Sequence, residues 1–312
     1  MKAAQISDYG HVDVVKVVDI DKPVAKDGQV LVEVHASSMN PFDTIVREGY
    51  MKAMIPLNFP TTLGGDISGV VAEVGAGVTG FAVGDEVFGG ANVVAGATGA
   101  FAEFAATASS QLAPKPKSVD FVEAASSVLV GLSAYQAIYD HINLTAGQKI
   151  LIHGGSGGIG SVAVQLAKHI GAHVATTATG RGLDYVKDLG ADQIIDYKTA
   201  KFEETLKDYD AVFDMVGGEV CTKSFTVLKN GGVLVSMAGQ PDVALAEKYN
   251  VTAVALMTST TNEGLTKLAE LIDSGVVKVN VDKIFDLSHI DEAFTAREAG
   301  GILGKVGVRI KT

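Results

Sequence analysis

The chain has 312 residues, 47% of them hydrophobic, with a formal net charge of −11 and one cysteine, Cys221. This length suits two domains better than one. The acidic balance argues against a general nucleic-acid surface, and one cysteine excludes an internal disulfide or a site that needs two thiolates. No apolar run looks long enough to span a bilayer and no signal-peptide pattern opens the chain, so we expect a cytoplasmic protein without membrane insertion.

Up to about residue 120, the sequence has the pattern of a small, strongly bent β domain. Short apolar runs alternate with closely spaced glycines, which is typical of short strands joined by tight turns. The tail of the chain, from about residue 277, returns to the same pattern, and we expect it to rejoin the first domain. The strands predicted in these two regions cover 30–35, 69–74, 85–88 and 305–310.

From about residue 121 the pattern changes to strands that alternate with helices. Such alternation predicts a doubly wound parallel sheet of the Rossmann type, with strand order 3-2-1-4-5-6 and the ligand at the carboxyl ends of the strands. The predicted helices cover 121–130, 133–141, 158–170 and 184–189, and the predicted strands cover 150–153, 173–177, 193–196, 211–214, 233–237 and 252–256.

These patterns divide the chain into an α/β dinucleotide-binding domain and a mostly β domain. We expect the first to cover residues 121–275. We expect the second to combine residues 1–120 with residues 276–312.

A glycine-rich turn lies between the first predicted strand of the α/β domain and the helix at 158–170. Gly155, Gly157 and Gly160 satisfy the pattern G-x-G-x-x-G. In a strand–turn–helix context, the first glycine permits the turn, the second lets a pyrophosphate approach, and the third lets helix and strand pack closely. A glycine-rich turn that binds nothing is the alternative. The predicted phosphate-binding residues are Gly155, Ser156, Gly157, Gly158, Ile159 and Gly160.

The end of the next strand indicates which dinucleotide binds. NAD-specific sites usually carry Asp or Glu there, about 20 residues after the glycines, to bind the ribose 2′-hydroxyl. This chain has Thr177 and Thr179 instead, followed by Arg181. A guanidinium can pair with a 2′-phosphate, so the pattern predicts NADP(H). The alternative for Arg181 is an ordinary solvated charge.

Several ordered motifs resemble the medium-chain dehydrogenase/reductase superfamily over essentially the full length. Within it, the chain resembles the zinc-free quinone oxidoreductase (zeta-crystallin-like) branch, which implies that the mostly β domain is a GroES-like catalytic domain. The motifs are Asn40-Pro41-Phe42-Asp43, Gly64-Gly65-Asp66-Ile67-Ser68-Gly69-Val70-Val71, Val83-Gly84-Asp85-Glu86-Val87, Gly131-Leu132-Ser133-Ala134-Tyr135, the 154–160 turn and Gly304-Lys305-Val306.

Departures from the zinc alcohol dehydrogenases favour this branch. Those relatives carry a catalytic Cys at the position of Asn40, a His-Glu pair at Gly65-Asp66, and a four-cysteine zinc lobe around 88–105. This chain has none of these cysteines, and its seven histidines are scattered singly. Zinc sites are built from Cys, His and carboxylates at defined spacing, so we expect no metal.

The resemblance implies a role for two residues in catalysis. Asn40 would lie beside the nicotinamide and donate to a substrate oxygen; the alternative is an ordinary Asn–Pro turn. Tyr50 is a second candidate hydroxyl donor, with simple packing as its alternative. Asp43 is expected to hold the pocket loop, and Asp66 to bind backbone amides rather than act as a base.

The resemblance also places further residues around the cofactor. Ser133 would approach the nicotinamide, with a helix N-cap as the alternative. Tyr197 would contact the 2′-phosphate, and Lys305 would close over the cofactor, with a solvated charge as the alternative. Three more candidates follow the fourth and fifth strands of the sheet: Val216, Ser236 and Gly239.

Together these features predict an NADPH-dependent, zinc-independent quinone oxidoreductase. Quinones and enones accept hydride without a Lewis acid, whereas an unactivated ketone benefits far more from a metal. An NADPH-dependent 2-alkenal or enone reductase is the first alternative, and an NADP(H)-binding protein with little catalysis is the second. A homodimer is expected, because resembling enzymes pair their sixth strands, here about 252–257, and pairing protects a strand edge.

Overall fold

The computed structural model describes residues 1–311. The chain forms two compact units. The first unit comprises Met1–Leu129, Thr260–Ser274 and the chain from Asn280 onward, and the second comprises Val130–Ser259 with Gly275–Val279.

Strands and α-helices are numbered in chain order. The strands are β1 (Lys2–Ile6), β2 (Lys16–Asp19), β3 (Gln29–Met39), β4 (Thr61–Thr62), β5 (Asp66–Val74), β6 (Glu86–Gly90), β7 (Phe104–Ala108), β8 (Leu112–Pro114), β9 (Lys149–Ile152), β10 (His173–Ala178), β11 (Gln193–Asp196), β12 (Tyr209–Asp214), β13 (Leu228–Ser236), β14 (Thr252–Ala255), β15 (Val281–Asp286) and β16 (Lys305–Arg309). The helices are α1 (Pro41–Arg47), α2 (Phe121–Tyr135), α3 (Gly158–Ile170), α4 (Gly182–Asp188), α5 (Phe202–Thr205), α6 (Gly218–Ser224), α7 (Val243–Tyr249), α8 (Asn262–Asp273) and α9 (Ile290–Glu298).

The first unit is built on a bent, mostly antiparallel sheet, as its short strands and glycine turns predict. The strand order is β15-β16-β3-β5-β6-β8, and β7 also pairs with β3. A smaller antiparallel sheet has the order β2-β1-β4. β16 pairs with β3 through Val306 opposite Met39, so the tail joins the first unit. Apolar side chains from the small sheet, α1 and α9 form one core with Phe101 and Phe294.

The second unit contains the predicted parallel sheet. Its strand order is β11-β10-β9-β12-β13-β14, which is the order 3-2-1-4-5-6 within this unit, and that prediction is confirmed. All neighbouring strands in the sheet are parallel. Apolar residues of the strands pack against α5, α6 and α7 in a buried cluster that includes Phe225 and Leu234. The carboxyl ends of the strands therefore share one edge.

The prediction of separate helices at 121–130 and 133–141 is wrong. A single α-helix, α2, crosses Gly131, and residues Gln136–His141 continue it as a π-helix. Glycine costs about 1 kcal/mol relative to alanine inside a helix but removes no backbone hydrogen bond. Burial of the apolar residues around Gly131 outweighs that cost.

The same stretch corrects the expectation that no apolar run is long enough to cross a bilayer. By length and composition alone, Phe121–His141 qualifies, with a mean hydropathy of 1.3. However, 72% of the qualifying window is buried inside the protein, as in the core helix of a globular domain.

The compact units differ from the predicted domain boundaries at three places. Residues 276–279 belong to the second unit, whereas residues 121–129 and residues 260–274 belong to the first. α8 lies in the latter segment, where Asn262 Nδ2 donates to the Leu112 carbonyl at 2.7 Å and Ser118 N donates to Asp273 Oδ1 at 2.9 Å. These long-range bonds hold α8 against β8, and local sequence pattern carries no sign of them.

Candidate functional site

The glycine turn joins β9 to α3 in the second unit, and each motif glycine meets a different surrounding. A Cβ added to Gly155 would lie 2.0 Å from Thr176 Oγ1, and one added to Gly160 would lie 2.2 Å from the Gly154 carbonyl oxygen. At Gly157 the nearest atom is the Gly154 oxygen, at 3.4 Å. Gly155 and Gly160 are therefore required for packing, whereas the space at Gly157 is open.

This geometry fits the pyrophosphate of a dinucleotide. Gly157 precedes the first turn of α3, which begins at Gly158. The first N–H groups of a helix have no partners within the helix, and they lie at the positive end of its dipole. An open glycine at this point lets phosphate oxygens approach those N–H groups.

A buried hydrogen-bond chain holds the turn from behind. Thr177 Oγ1 accepts from Gly154 N at 3.0 Å and lies 3.3 Å from His153 Nδ1. His153 Nε2 lies 2.9 Å from Ser224 Oγ, and Ser224 Oγ donates its proton to the Val220 carbonyl. Ser224 must therefore accept from His153, which places the imidazole proton on Nε2. Burial lowers the pKa of His153 to about 4, so the ring is neutral at pH 7.

Candidate contacts to a 2′-phosphate lie at the ends of two neighbouring strands. Tyr197, which is 59% exposed, follows β11, and its N–H donates to the Ala178 carbonyl at the end of β10 at 3.3 Å. Thr179 and the exposed Arg181 follow Ala178 in the chain. The structure thus brings Thr179, Arg181 and Tyr197 to one sheet edge.

The start of α4 also lies against the glycine turn. A Cβ on Gly182 would be 2.7 Å from Ser156 Oγ. Thr177 is a weaker candidate than its neighbours, because its buried hydroxyl is already committed to Gly154 and His153.

Asp214 organises the ends of the next two strands. This buried carboxylate accepts from Val216 N at 2.9 Å and from Gly217 N at 3.1 Å, and it accepts from Ser236 Oγ at 3.0 Å. Val216 is 55% exposed, and Gly239 has a φ of +132° with nothing within 4 Å of an added Cβ. Ser236 therefore shapes this edge, while Val216 and Gly239 present surface at it.

Ser133 lies inside α2, so the alternative that it caps a second helix is wrong. Its hydroxyl is buried and lies 2.6 Å from Thr258 Oγ1. This contact fixes the segment after β14 against α2 within the second unit. A contact of Ser133 with the nicotinamide stays a prediction.

In the first unit, the Asn40 carboxamide lies between two opposite charges. Lys305 Nζ donates to Asn40 Oδ1 at 2.5 Å and to the Met39 carbonyl at 2.9 Å. Asn40 Nδ2 donates to Asp66 Oδ2 at 2.7 Å, and Ser38 Oγ donates to the same oxygen at 2.9 Å. Lys305 Nζ and Asp66 Oδ2 are 3.8 Å apart. Asn40 is 3% exposed, and Lys305 and Asp66 are each 4% exposed.

Asp43 completes this group, which we call the Asn40 cluster: Asn40, Asp43, Asp66 and Lys305. Asp43 occupies the third position of α1, and its Oδ2 accepts from the Asn40 backbone N–H at 2.7 Å. This reciprocal arrangement is a capping box, with Pro41 at the first helical position. Asp43 thus holds the Asn40 backbone, in line with its expected role.

Burial controls the protonation of the cluster. Desolvation, together with the nearby charge of Asp66, raises the pKa of Asp43 to about 7, although the hydrogen bond from Asn40 N acts to lower it. Burial also raises the pKa of Asp66, although Lys305, Asn40 and Ser38 oppose the shift. Burial lowers the pKa of Lys305, and Asp66 opposes that shift. The ion pair of Asp66 with Lys305 is thus indicated by the 3.8 Å distance between them, while burial shifts the pKa of each partner towards its neutral form. Asp43 is the carboxyl group whose pKa lies near neutral pH.

The structure bears on two further expectations about this region. Asp66 accepts from the backbone amide of Leu129, as expected, and also from the side chains of Ser38 and Asn40. Tyr50 lies in the turn after α1 and is 75% exposed, so the structure does not bring its hydroxyl into the Asn40 cluster. The roles of Tyr50 in catalysis and of Lys305 in cofactor binding stay predictions.

Sequence reasoning missed the partners of Asn40. The Asn-Pro-x-Asp spacing does signal a helix cap, so Asp43 could have been placed. Lys305 and Asn40 are 265 positions apart, and only the pairing of β16 with β3 brings them together. The sequence around His153 and Asp214 likewise gives no sign of the hydrogen bonds that these residues make.

The donor set does not fit a zinc ion. Within residues 1–311, no group of three or more His, Cys, Asp and Glu side chains could hold a metal ion. Asn40 offers an amide, and the Lys305 ammonium already binds its oxygen. The ammonium group of Lys305 thus occupies the side-chain oxygen of Asn40.

Two parts of the chain match known protein families. Residues 26–117 match the family described as "Alcohol dehydrogenase GroES-like domain", and residues 189–308 match the family described as "Zinc-binding dehydrogenase". The predicted fold class, a Rossmann domain with a GroES-like, mostly β domain, is confirmed.

Individual relatives cover nearly the whole chain. It is 39% identical to an NADPH-dependent alkenal/one oxidoreductase from Arabidopsis thaliana chloroplasts, over 99% of this chain and 79% of the relative. It resembles the structure of the quinone oxidoreductase from Coxiella burnetii, with a TM-score of 0.93, 33% identity and coverage of 100% of this chain and 99% of that chain. It also resembles Escherichia coli quinone oxidoreductase complexed with NADPH, with a TM-score of 0.87, 25% identity and coverage of 99% and 100%.

The fold and these relatives define an enzyme of the oxidoreductase class. The chain belongs to the medium-chain dehydrogenase/reductase superfamily, in its quinone oxidoreductase branch.

The different surroundings of Gly157 and Gly160 give a paired prediction. Gly157→Ala should leave the thermal midpoint within a few degrees of wild type, because its Cβ enters open space. NADPH affinity should fall at least tenfold, since that Cβ lies where the pyrophosphate approaches. Gly160→Ala should instead lower the midpoint, because its Cβ meets backbone at 2.2 Å. Thermal denaturation and NADPH titration by fluorescence measure both effects. Tight NADPH binding by Gly157→Ala would contradict the assigned phosphate cradle.

Proposed function

We propose that this chain is an NADPH-dependent, zinc-independent oxidoreductase that reduces quinones in the cytoplasm. The observation that carries the proposal is the buried Asn40 carboxamide, which binds Lys305 and Asp66 where metal-dependent relatives have a zinc ligand. A polar donor group, and not a metal, is therefore available to the acceptor. The cytoplasmic location stays a prediction.

The second unit supplies the residues for NADPH. The first turn of α3 faces the open space at Gly157 and suits the pyrophosphate. Residues 177–181 contain no carboxylate that would repel a 2′-phosphate, and Arg181 and Tyr197 lie at the ends of adjacent strands. NADPH, when bound, supplies a hydride.

The first unit supplies the group for the acceptor oxygen. A quinone that takes up a hydride and a proton becomes a hydroquinone, and negative charge develops on its oxygen before protonation. Asn40 Nδ2 carries two N–H groups, and Asp66 engages only one of them. The second can donate to the developing oxyanion, which is stabilisation of the oxyanion-hole type.

Reduction of enones is a second candidate function. The Arabidopsis relative, at 39% identity, is an alkenal/one oxidoreductase. The chemistry uses the same groups, because hydride addition to the β-carbon of an enone also places negative charge on the carbonyl oxygen. An NADP(H)-binding protein with little catalysis is the remaining alternative.

A panel of acceptors separates these functions. We expect NADPH oxidation with 1,4-benzoquinone and 9,10-phenanthrenequinone, with unchanged kcat after exhaustive treatment with EDTA and 1,10-phenanthroline. Turnover of 2-alkenals without turnover of any quinone would move the assignment to enone reduction. Tight NADPH binding with no turnover of either class would favour the binding protein. Loss of activity on chelation, with recovery on adding Zn²⁺, would contradict zinc independence.

Coenzyme preference tests the 2′-phosphate contacts. Arg181→Ala should weaken NADPH binding by about tenfold to a hundredfold, because a hydrogen bond to a charged group contributes roughly 1.5–3 kcal/mol. NADH affinity should stay unchanged. Lys187→Ala is the matched control, since Lys187 is an exposed cation in α4, the helix that follows Arg181. Equal dissociation constants of the wild-type protein for NADPH and NADH would refute the assignment.

We further propose a homodimer formed along β14. This strand is an edge of the parallel sheet, and an unprotected strand edge favours pairing with another chain. Multi-angle light scattering at micromolar concentration should give twice the chain mass of 32.3 kDa. A monomeric mass at that concentration would rule out the dimer.

A further inference from the structure

We propose that Lys305 and Asp66 are positioning residues that fix the orientation of the Asn40 carboxamide, and so aim its second N–H at the acceptor oxygen. This inference rests on the proposed function, because it concerns how Asn40 meets the acceptor. It adds two residues, neither of which is expected to touch the substrate.

The sheet of the first unit brings the three side chains to one end. β3 lies between β16 and β5 and is antiparallel to both. Asn40 follows the last residue of β3, while Asp66 and Lys305 are the first residues of β5 and β16. Ser38 pairs with Asp66 and Met39 with Val306 in the strand register. The backbone ladder thus sets the separation of the two charges on either side of Asn40.

The chemistry of the two flanking groups allows one orientation of the amide. An ammonium can only donate, so Lys305 requires an oxygen opposite it. An ionised carboxylate can only accept, so Asp66 requires an N–H. A flipped Asn40 would place its NH2 against the ammonium and its oxygen against the carboxylate. Burial strengthens both repulsions, because the local dielectric constant is low.

One N–H of Asn40 is left over by this arrangement. Lys305 binds Oδ1, and the one hydrogen bond that Nδ2 donates within residues 1–311 goes to Asp66, so its other hydrogen is left for a ligand. The lysine also polarises the carbonyl of the amide, which makes the remaining N–H a better donor. A donor held in one direction before the reaction stabilises developing charge without reorganisation.

Stability alone does not account for the pair. Burying two charges is costly, and replacing a buried ion pair with uncharged groups is often neutral or stabilising. The pair must therefore be explained by what it orients. Among the residues that the structure describes, only Asn40 forms direct hydrogen bonds with both Asp66 and Lys305.

A double-mutant cycle tests the inference. The variants are Asn40→Ala, Lys305→Met and the uncharged pair Asp66→Asn with Lys305→Met. The last two are also each combined with Asn40→Ala. Lys305→Met leaves Asp66 unpaired and can lower stability, whereas the uncharged pair removes both charges and keeps the fold testable. For each variant, we measure kcat and KM with the best quinone or enone, the NADPH dissociation constant and the thermal midpoint.

We expect the uncharged pair to lower kcat at least tenfold, because misdirecting a donor by about 1 Å can cost on the order of a hundredfold in rate. The kcat is measured at saturating NADPH, so that any contact of Lys305 with the cofactor does not contribute to the loss. In the Asn40→Ala background, the same pair should cause no further loss of kcat, because the residue through which it acts is gone. A positioning role predicts this non-additivity, whereas a merely structural role predicts equal losses in both backgrounds.

Lys115→Met is the matched control. Lys115 is also a largely buried lysine of the first unit, with its side chain 7% exposed, and it donates to the carbonyls of Pro116 and Val119. It makes no contact with Asn40, so kcat should stay within twofold of wild type. Loss of kcat equal to that of Lys305→Met would show a general effect of buried lysines and would overturn the inference.

The outcomes separate this inference from the proposed function. Wild-type turnover with additive losses in the cycle overturns only the positioning role. Wild-type turnover with an unaffected Asn40→Ala variant overturns the role of Asn40, and the inference fails with it. If the wild-type protein turns over no quinone or enone, the proposed function itself fails, and the inference fails as a consequence.

Discussion

The hydrogen bond from Lys305 to Asn40 is the interaction on which the candidate site of the first unit depends. It joins residues 265 positions apart and exists because β16 returns to pair with β3. The same ladder places Asp66 on the other side of Asn40. A buried amide with a cation on its oxygen and an anion on its nitrogen has a single stable orientation.

In the second unit, buried contacts and hydrogen bonds likewise hold the glycine turn in one conformation. The Thr176 side chain leaves no room for a Cβ at Gly155, and the Gly154 backbone leaves none at Gly160. The hydrogen-bond chain of Thr177, His153 and Ser224 ties the turn to the interior. The open space at Gly157 is thereby held in place before any ligand arrives. In both units, buried polar groups with assigned donors and acceptors do the positioning, while apolar packing supplies the stability.

The relation to the zinc dehydrogenases is one of shared fold and different donor chemistry. Residues 189–308 match a family described as zinc-binding, yet within residues 1–311 no set of side chains is suited to a metal ion. An ammonium group of the chain binds the oxygen of Asn40 instead. A fold carries over between relatives more readily than the chemistry of its site.

The sequence by itself determined the sheet order of the second unit, the α3 helix at 158–170 and the three motif glycines, because hydrophobic periodicity and turn chemistry are local properties. It also contained the cap formed by Asp43, through a spacing of three residues. The continuous helix across Gly131, the place of α8 in the first unit and the partners of Asn40 were decided only by tertiary structure. Each depends on contacts between distant segments, and burial then sets the protonation of Asp43, Asp66 and Lys305 in a way that no spacing along the chain encodes.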